Sequence, residues 1–229
     1  MAELWQALKD AIHLIVSRDP EVIDITWRSL RVSAASTILA ALICIPLGGL
    51  ISFRNFWGKR LLINIIQTLY SVPTVCVGLF VFLMLSRAGP LGAFHLFFTP
   101  TAMVIAQTLL IVPVMLGLTI SALSGVDKTI KDTTLSLGAN EFQAIWAIIK
   151  EARFAIVAGV LLGFGRAISE VGAAWIVGGN FAGYTRVLTT AISLYSQQGL
   201  FALAMALGII LITMALVVNI AVNVVQQRR

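Results

Sequence analysis

The sequence predicts an all-α integral membrane protein: five transmembrane helices preceded by an amphipathic N-terminal helix. Three observations carry this. The 229 residues are 59% hydrophobic and only 11% charged, with a mean hydropathy of +0.97, outside the range of water-soluble domains. Charge-free runs of 22, 26, 39 and 41 residues cover 32–53, 61–86, 88–126 and 187–227. Each reaches the ~20 residues that a helix needs to cross ~30 Å of hydrocarbon, so the two longer runs also hold loops. The net charge of +6 is carried by basic residues between apolar runs, a topology signal rather than a nucleic-acid surface.

Taken in order, residues 1–26 form an interfacial segment. Leu4, Leu8, Ile12 and Ile15 recur at spacings of four and three, while Glu3, Lys9 and Asp10 occupy other faces, which predicts an amphipathic helix too polar to span. Its acidic start and the Lys9-Asp10 interruption do not fit a signal peptide. The membrane-spanning body, 27–229, then holds spans at 30–52, 61–86, 101–123, 154–178 and 201–225. With the N-terminus outside, the inner side carries nine basic residues: Arg54, Lys59, Arg60, Lys128, Lys131, Lys150, Arg153, Arg228 and Arg229. The outer side then carries six, Lys9, Arg18, Arg28, Arg31, Arg87 and Arg186, and Arg166 stays within the membrane. The majority on one side predicts N-outside, C-inside.

Pro73 and Pro113 interrupt the second and third spans, each removing a backbone hydrogen bond. Two readings stay open, kinks that serve packing or broken helices that line a path. Gly159 and Gly163, with Gly165 near, form a GxxxG that admits a close neighbour to the fourth span. Arg166 and Glu170 are spaced one helical turn apart in the same span. A charge in hydrocarbon costs at least ~3 kcal/mol even on insertion scales, so both must face protein or water. They either neutralise one another or line a path in which the Arg166 fork holds an anion and Glu170 prevents a tight trap. Gly178, Gly179 and Asn180, with Thr185, Arg186 and Thr189, are either an outer mouth or an ordinary polar loop.

Residues 127–151 are too polar to cross and too apolar for a plain loop. Asp127 is placed to cap a short helix, Gly138 to end it in a left-handed turn, and Asn140 with Gln143 to open a second helix through a capping box. Phe142, Ile145, Trp146 and Ile149 recur at helical spacing, which predicts that the Trp146 face rests against the membrane domain. The product is helix, glycine hinge, helix: a knob for a partner, or an interfacial element without one.

Enzyme chemistry has little support. No GxxxxGK[ST] loop is present, His13 and His95 lack a partner pattern, Cys44 and Cys76 lie singly in apolar runs, and no carboxylate pair shares an apolar site.

The stretch "DTTLSLGAN" resembles the EAA loop of ABC-type import permeases: Asp132, Thr133, Thr134 and Gly138 match its acidic, small, small and glycine positions. The family's closing IxLP is replaced here by Ile148, Ile149, Lys150 and Glu151, of which only the isoleucine matches. "SVPTVCVGL", "TPTAMVIAQTLLIVP" and "RAISEVGAAWIVGGN" resemble the second, third and fourth spans of the molybdate, tungstate and sulfate permeases, over roughly residues 26–225. "GYTRVLTTAI" is most similar to the tungstate branch. The resemblance implies a type I (MetI-like) importer permease in the cell inner membrane, working as a homodimer with an ABC ATPase subunit and an extracytoplasmic oxyanion-binding protein. It implies ATP-Mg on the ATPase and no cofactor on this chain, with no nucleic-acid partner. Coupling to the ATPase then falls on Asp132, Thr133, Thr134, Leu135, Gly138, Ala139, Asn140 and Phe142. From another class, a proton-coupled carrier using Glu170 also accounts for an intramembrane carboxylate, and an inert scaffold subunit accounts for the missing catalytic cluster.

Overall fold

The computed structural model describes residues 2–227, without the side chains of residues 2–4, 128 and 131. Arg228 and Arg229, and the side chains of Glu3, Leu4, Lys128 and Lys131, used above for topology and amphipathicity, lie outside the described residues. All regular structure among them is helical.

The first helix, α1 (Ala2–Val16), packs along the last one, α10 (Phe201–Gln226). Its buried edge centres on Ala11, whereas Ile12 faces outward. The inward stripe is therefore rotated from the one expected, because small Ala11 lets the helices approach closely. α1 ends at Val16. Asp19, whose carboxylate accepts from the Glu21 and Val22 amides, then caps α2 (Pro20–Phe53). That helix runs ten residues further toward the N-terminus than the span expected from 30.

The centre is the pair formed by α2 and α5 (Pro100–Ser124). Ala40 and Cys44 meet Ile111, Met115 and Ile120, and a Cβ at Gly48 would stand 2.7 Å from Thr119. Lipid tails are as apolar as these side chains, so close packing rather than water exclusion holds the pair. It is fastened by polar groups that lipid could not satisfy: the Ser36 hydroxyl donates to Gln107 Oε1 at 3.1 Å, and the Thr108 hydroxyl to the Ser36 carbonyl at 3.3 Å.

The second span is broken. α3 (Lys59–Thr68) passes through a 3-10 turn, Leu69–Ser71, and Pro73 into α4 (Thr74–Leu85), with a bend of 97°. Pro113, by contrast, lies inside a continuous α5, as Pro46 does inside α2. A short helix, α6 (Lys128–Ser136), precedes α7 (Glu141–Ile168), then α8 (Gly172–Gly178) and α9 (Leu188–Gln197). The span expected over 154–178 is thus corrected: it begins within α7 and breaks at 169–171. Among the described residues α2, α5 and α10 are each long and apolar enough to cross a membrane, and the bent α3–α4 pair makes a fourth if it is one span. α7 carries Lys150, Glu151, Arg153 and Arg166 and does not meet that test as a whole.

Candidate functional site: an elbow, a rod and a broken span

The elbow forms as its residues dictate. Asp127 Oδ1 accepts from the Thr129 amide at 2.9 Å and its hydroxyl at 2.7 Å, opening α6. The same two bonds hold the Asp127 carboxyl below its ordinary value. Gly138 ends α6 at φ +87°, a conformation that L side chains rarely adopt. Asn140 Oδ1 accepts from the Gln143 amide at 2.9 Å, and Gln143 Oε1 from the Asn140 amide at 2.8 Å, closing the capping box of α7. The Thr134 and Ser136 hydroxyls turn back onto the Ile130 and Asp132 carbonyls.

One expectation is corrected here. The Trp146 face does not rest on the membrane domain: Trp146 is 63% and Phe142 76% exposed. The buried face instead carries Ala144, Ile148, Ala152 and Ile156, the last three joining Leu123 of α5 with Ile45 and Phe53 of α2 packed around them. Alanines admit α5 to close range, and bulky Trp146 and Phe142 fall on the opposite side. The elbow therefore presents Leu137, Phe142 and Trp146 outward together.

At the other end of α7 stands Arg166, with its Nη1 3.4 Å from Glu170 Oε2. The two environments differ sharply: the Arg166 side chain is 41% exposed and that of Glu170 3%. They do not share a helix, as the spacing alone suggested. α7 ends at Ile168, and the Ser169 hydroxyl bonds the Gly165 and Arg166 carbonyls left unpaired at its end. Glu170 turns inward and its Oε1 accepts from the Ala173 amide at 3.1 Å, capping the start of α8. Its own carbonyl accepts from the Thr189 hydroxyl at 2.6 Å. A broken helix exposes backbone groups that lipid cannot satisfy; here the Gly165, Arg166 and Glu170 carbonyls and the Ala173 amide are met by side chains.

This break lies beside the one at Pro73. A Cβ at Gly172 would stand 3.0 Å from Val75 Cγ2 and 3.1 Å from Thr74 Oγ1, and one at Gly78 2.7 Å from Ala173 Cα. The glycines let α4 and α8 touch backbone to backbone where both chains change direction. Pro73 thus joins Arg166 and Glu170 in one region; Pro113 stays within the α5 helix.

The residues assigned to an outer mouth are packed inward. Gly179, at φ +70°, lies under Phe98 and Phe181, whose rings meet edge-on at 5.4 Å. Asn180, at φ +54°, is buried, and its Oδ1 has no partner among the described residues. Thr185 Oγ1 accepts from the Phe181 amide at 2.9 Å, and Thr189 is committed to Glu170. Arg186 Nη1 donates to the Tyr195 hydroxyl at 2.9 Å and lies 3.7 Å from Glu21 Oε1, while its carbonyl accepts from Arg28 at 2.8 Å. Tyr195 donates to Glu21, and Arg28 pairs with Asp24. Burial and the bond to Glu21 push the Tyr195 phenol above its ordinary value. The loop is thereby tied to the start of α2. No sequence motif announced Glu21, Tyr195 or Gly78; the glycine within an apolar run was the one visible sign.

Among the described residues no three His, Cys, Asp or Glu side chains converge on a metal-sized site. Residues 44–229 match the model of the family described as "Binding-protein-dependent transport system inner membrane component". The "Tungstate uptake system permease protein TupB" of Peptoclostridium acidaminophilum is 42% identical over 227 residues, covering 99% of this chain and 100% of that protein. The "Probable anion ABC transporter permease protein" of Haloferax volcanii is 41% identical over 203 residues, 86% of this chain and 88% of that one. A crystal structure of an amino acid ABC transporter shares the fold at TM-score 0.67 and 17% identity, covering 94% of this chain and 97% of the other. With the elbow, the paired breaks and this near-complete coverage together, the chain belongs to the family of inner-membrane components of binding-protein-dependent transport systems.

Proposed function

We propose that this chain is the membrane-spanning subunit of an ATP-driven importer for a tetrahedral oxyanion, tungstate before molybdate or sulfate. The anion follows from the tungstate-uptake relative that matches end to end. One structural observation carries the mechanism: α7 is a single 28-residue helix with the elbow at its start and Arg166 near its end. At 1.5 Å per residue this rod is about 42 Å long, more than the hydrocarbon thickness.

The elbow docks on a separate ATPase through Leu137, Phe142 and Trp146, beside the loop residues Asp132, Thr133, Thr134, Leu135, Ala139 and Asn140. ATP-Mg binds and is hydrolysed there, and the energy enters this chain by contact. Tilting α7 moves Arg166 and the break it adjoins, and a bistable pair of arrangements gives inward-open and outward-open states. Arg166 presents guanidinium donors to an oxyanion in fork geometry. Glu170, neutralising part of that charge, keeps the hold weak enough for release. α2, the bent pair α3–α4, α5, α7 with α8, and α10 make the five crossings, with the N-terminus outside and the C-terminus inside. Two copies pair around the path, with a substrate-binding protein on the outer face near Gly179, Asn180, Thr185, Arg186 and Thr189.

The test is reconstitution of the chain with its ATPase and binding protein in proteoliposomes. Tungstate-stimulated ATP hydrolysis and uptake are expected, with weaker stimulation by molybdate and sulfate. Uptake that persists without the ATPase and collapses with the proton gradient would instead assign a secondary carrier using Glu170. An Arg166→Gln variant that assembles normally and transports at the parental rate removes Arg166 from the path.

A further inference from the structure

The turn between α2 and α3 holds a feature apart from the elbow, the rod and the breaks. Residues 55–60 and Ile63 line an open surface pocket of about 510 Å³. It lies at the elbow end of the protein, since Phe53 packs into the Leu123–Ile148 cluster and the Ser52 hydroxyl reaches the Ile120 carbonyl at 3.5 Å. Lys59 Nζ donates to the Ser52 and Arg54 carbonyls at 2.9 and 3.1 Å, which closes the turn and occupies that ammonium. Arg54 and Arg60 remain exposed, and no described carboxylate pairs with either. The sequence has no acidic residue between Asp24 and Asp127, so nothing nearby along the chain offsets them.

The apolar side of the same feature is equally ordered. Trp57 is fully exposed at the tip, and Leu61, Ile65 and Leu69 follow at intervals of four, all exposed, while Ile66 faces the core. The turn and α3 therefore offer two exposed guanidiniums that flank the turn, Arg60 on the pocket and Arg54 next to its first lining residue, with an exposed apolar stripe leading away. Tryptophan concentrates at the membrane–water boundary, and basic pockets on the cytoplasmic side of spans recognise anionic head groups. A charged head joined to an apolar tail is the chemistry that matches both ends at once.

We propose that the α2–α3 turn is a binding site for an anionic phospholipid, its phosphate held between Arg54 and Arg60 and an acyl chain lying along Trp57, Leu61, Ile65 and Leu69. An acidic protein surface would meet the cations but leave the stripe uncovered, and free phosphate would use neither Trp57 nor the stripe. The assignment does not depend on which anion is transported; it rests on the proposed orientation that puts the elbow end inside.

The experiment reconstitutes the full chain in phosphatidylcholine vesicles containing a small fraction of bromine-labelled phosphatidylglycerol or, in parallel, bromine-labelled phosphatidylcholine. The Trp57 signal is the difference between the parent and Trp57→Phe. Each surface cation contributes about fivefold to anionic-lipid preference, so quenching of Trp57 is expected to be at least about fivefold stronger with labelled phosphatidylglycerol. Arg54→Gln with Arg60→Gln should bring the two lipids level for Trp57 and leave the other tryptophans unchanged, while Arg54→Lys with Arg60→Lys should keep the preference. Equal quenching by both lipids in the parent overturns the proposal. So does loss of the preference on adding inorganic phosphate, which would assign a soluble ligand, or shielding of Trp57 by the purified ATPase subunit, which would assign a protein contact.

Discussion

Replacing Gly138 separates the backbone demands of the elbow from everything else about it. Gly138 sits at φ +87°, and a Cβ built there meets no atom of the described residues within 4 Å. Steric crowding by the described residues is therefore absent, and the cost of a side chain is the conformational one, about 1–2 kcal/mol for alanine in the left-handed region. Asparagine enters that region several times more readily, so Gly138→Asn should cost clearly less than Gly138→Ala even though it is larger. The assay is amide hydrogen exchange over residues 134–148, where a loss of about 1.4 kcal/mol reads as tenfold faster opening. The expected order of exchange is parent slowest, then Asn, then Ala. An order that follows side-chain size, with Asn faster than Ala, would refute the reasoning, because it would mean that something packs on Gly138 in the assembled protein.

Two further outcomes follow from single hydrogen bonds. Thr189→Val leaves the buried Glu170 carbonyl, now bonded at 2.6 Å, without its donor; a loss of about 1–3 kcal/mol is expected. Thr189→Ser should recover most of the thermal stability, and a loss for Ser larger than that for Val would point to the methyl group instead. For Asp127 the folded carboxyl titrates below its ordinary 3.8 because the charged form accepts two bonds from Thr129. A depressed folded value contributes stability at pH above 3.8 that disappears as the pH falls through it. Exchange at the first turn of α6 should therefore accelerate on acidification below that value, and in Asp127→Asn this acceleration should vanish, since the amide keeps an acceptor but does not titrate.

The elbow was legible because its signals are local. Asp127, Gly138, Asn140 and Gln143 each act within four residues along the chain, and capping chemistry works over that range. Which face of α7 turns inward was not legible: apolar spacing ranks Trp146 above Ala144, but tight helix contact selects the small side chain. The break at 169–171 was hidden for a related reason. "RAISEVGAAWIVGG" has no proline, and Arg166 and Glu170 stand one turn apart, so it reads as one unbroken helix. The helix is interrupted by contacts from distant segments: Thr189 on the Glu170 carbonyl, and Val75 pressed onto Gly172. Pro73 and Pro113 make the same point in the other direction. The two prolines look alike in sequence, yet only Pro73 lies at a change of direction, because α4 must swing 97° to lie along α8. The packing of the 179–189 loop escaped the reading because Glu21 and Tyr195 are separated by 174 positions before they meet.

The two breaks belong together on physical grounds. A helix interrupted at membrane depth leaves amides and carbonyls that lipid cannot satisfy, several kcal/mol for each. Around 169–171 those groups are answered by Ser169, by the Glu170 carboxylate on Ala173 and by Thr189 on Glu170. α4 then seals the region from its side, with Gly172 against Thr74 and Val75, and Gly78 against Ala173. A Cβ at Gly78 or Gly172 would collide with the facing helix, so α4 and α8 pack in direct contact. α7 itself is keyed to α5 by Gly159 on Leu118 and Gly163 on Met115, and to α10 by Gly165 on Val218. At about 100° per residue Gly159 and Gly163 share one face and Gly165 lies on the opposite one, so α5 and α10 hold the rod from two sides. On the importer reading, force applied at Phe142 and Trp146 moves the rod between those two helices. The half-exposed Arg166 then moves with the buried Glu170 and the Pro73 bend, and that linkage turns a docking event outside the membrane into a change in the path within it.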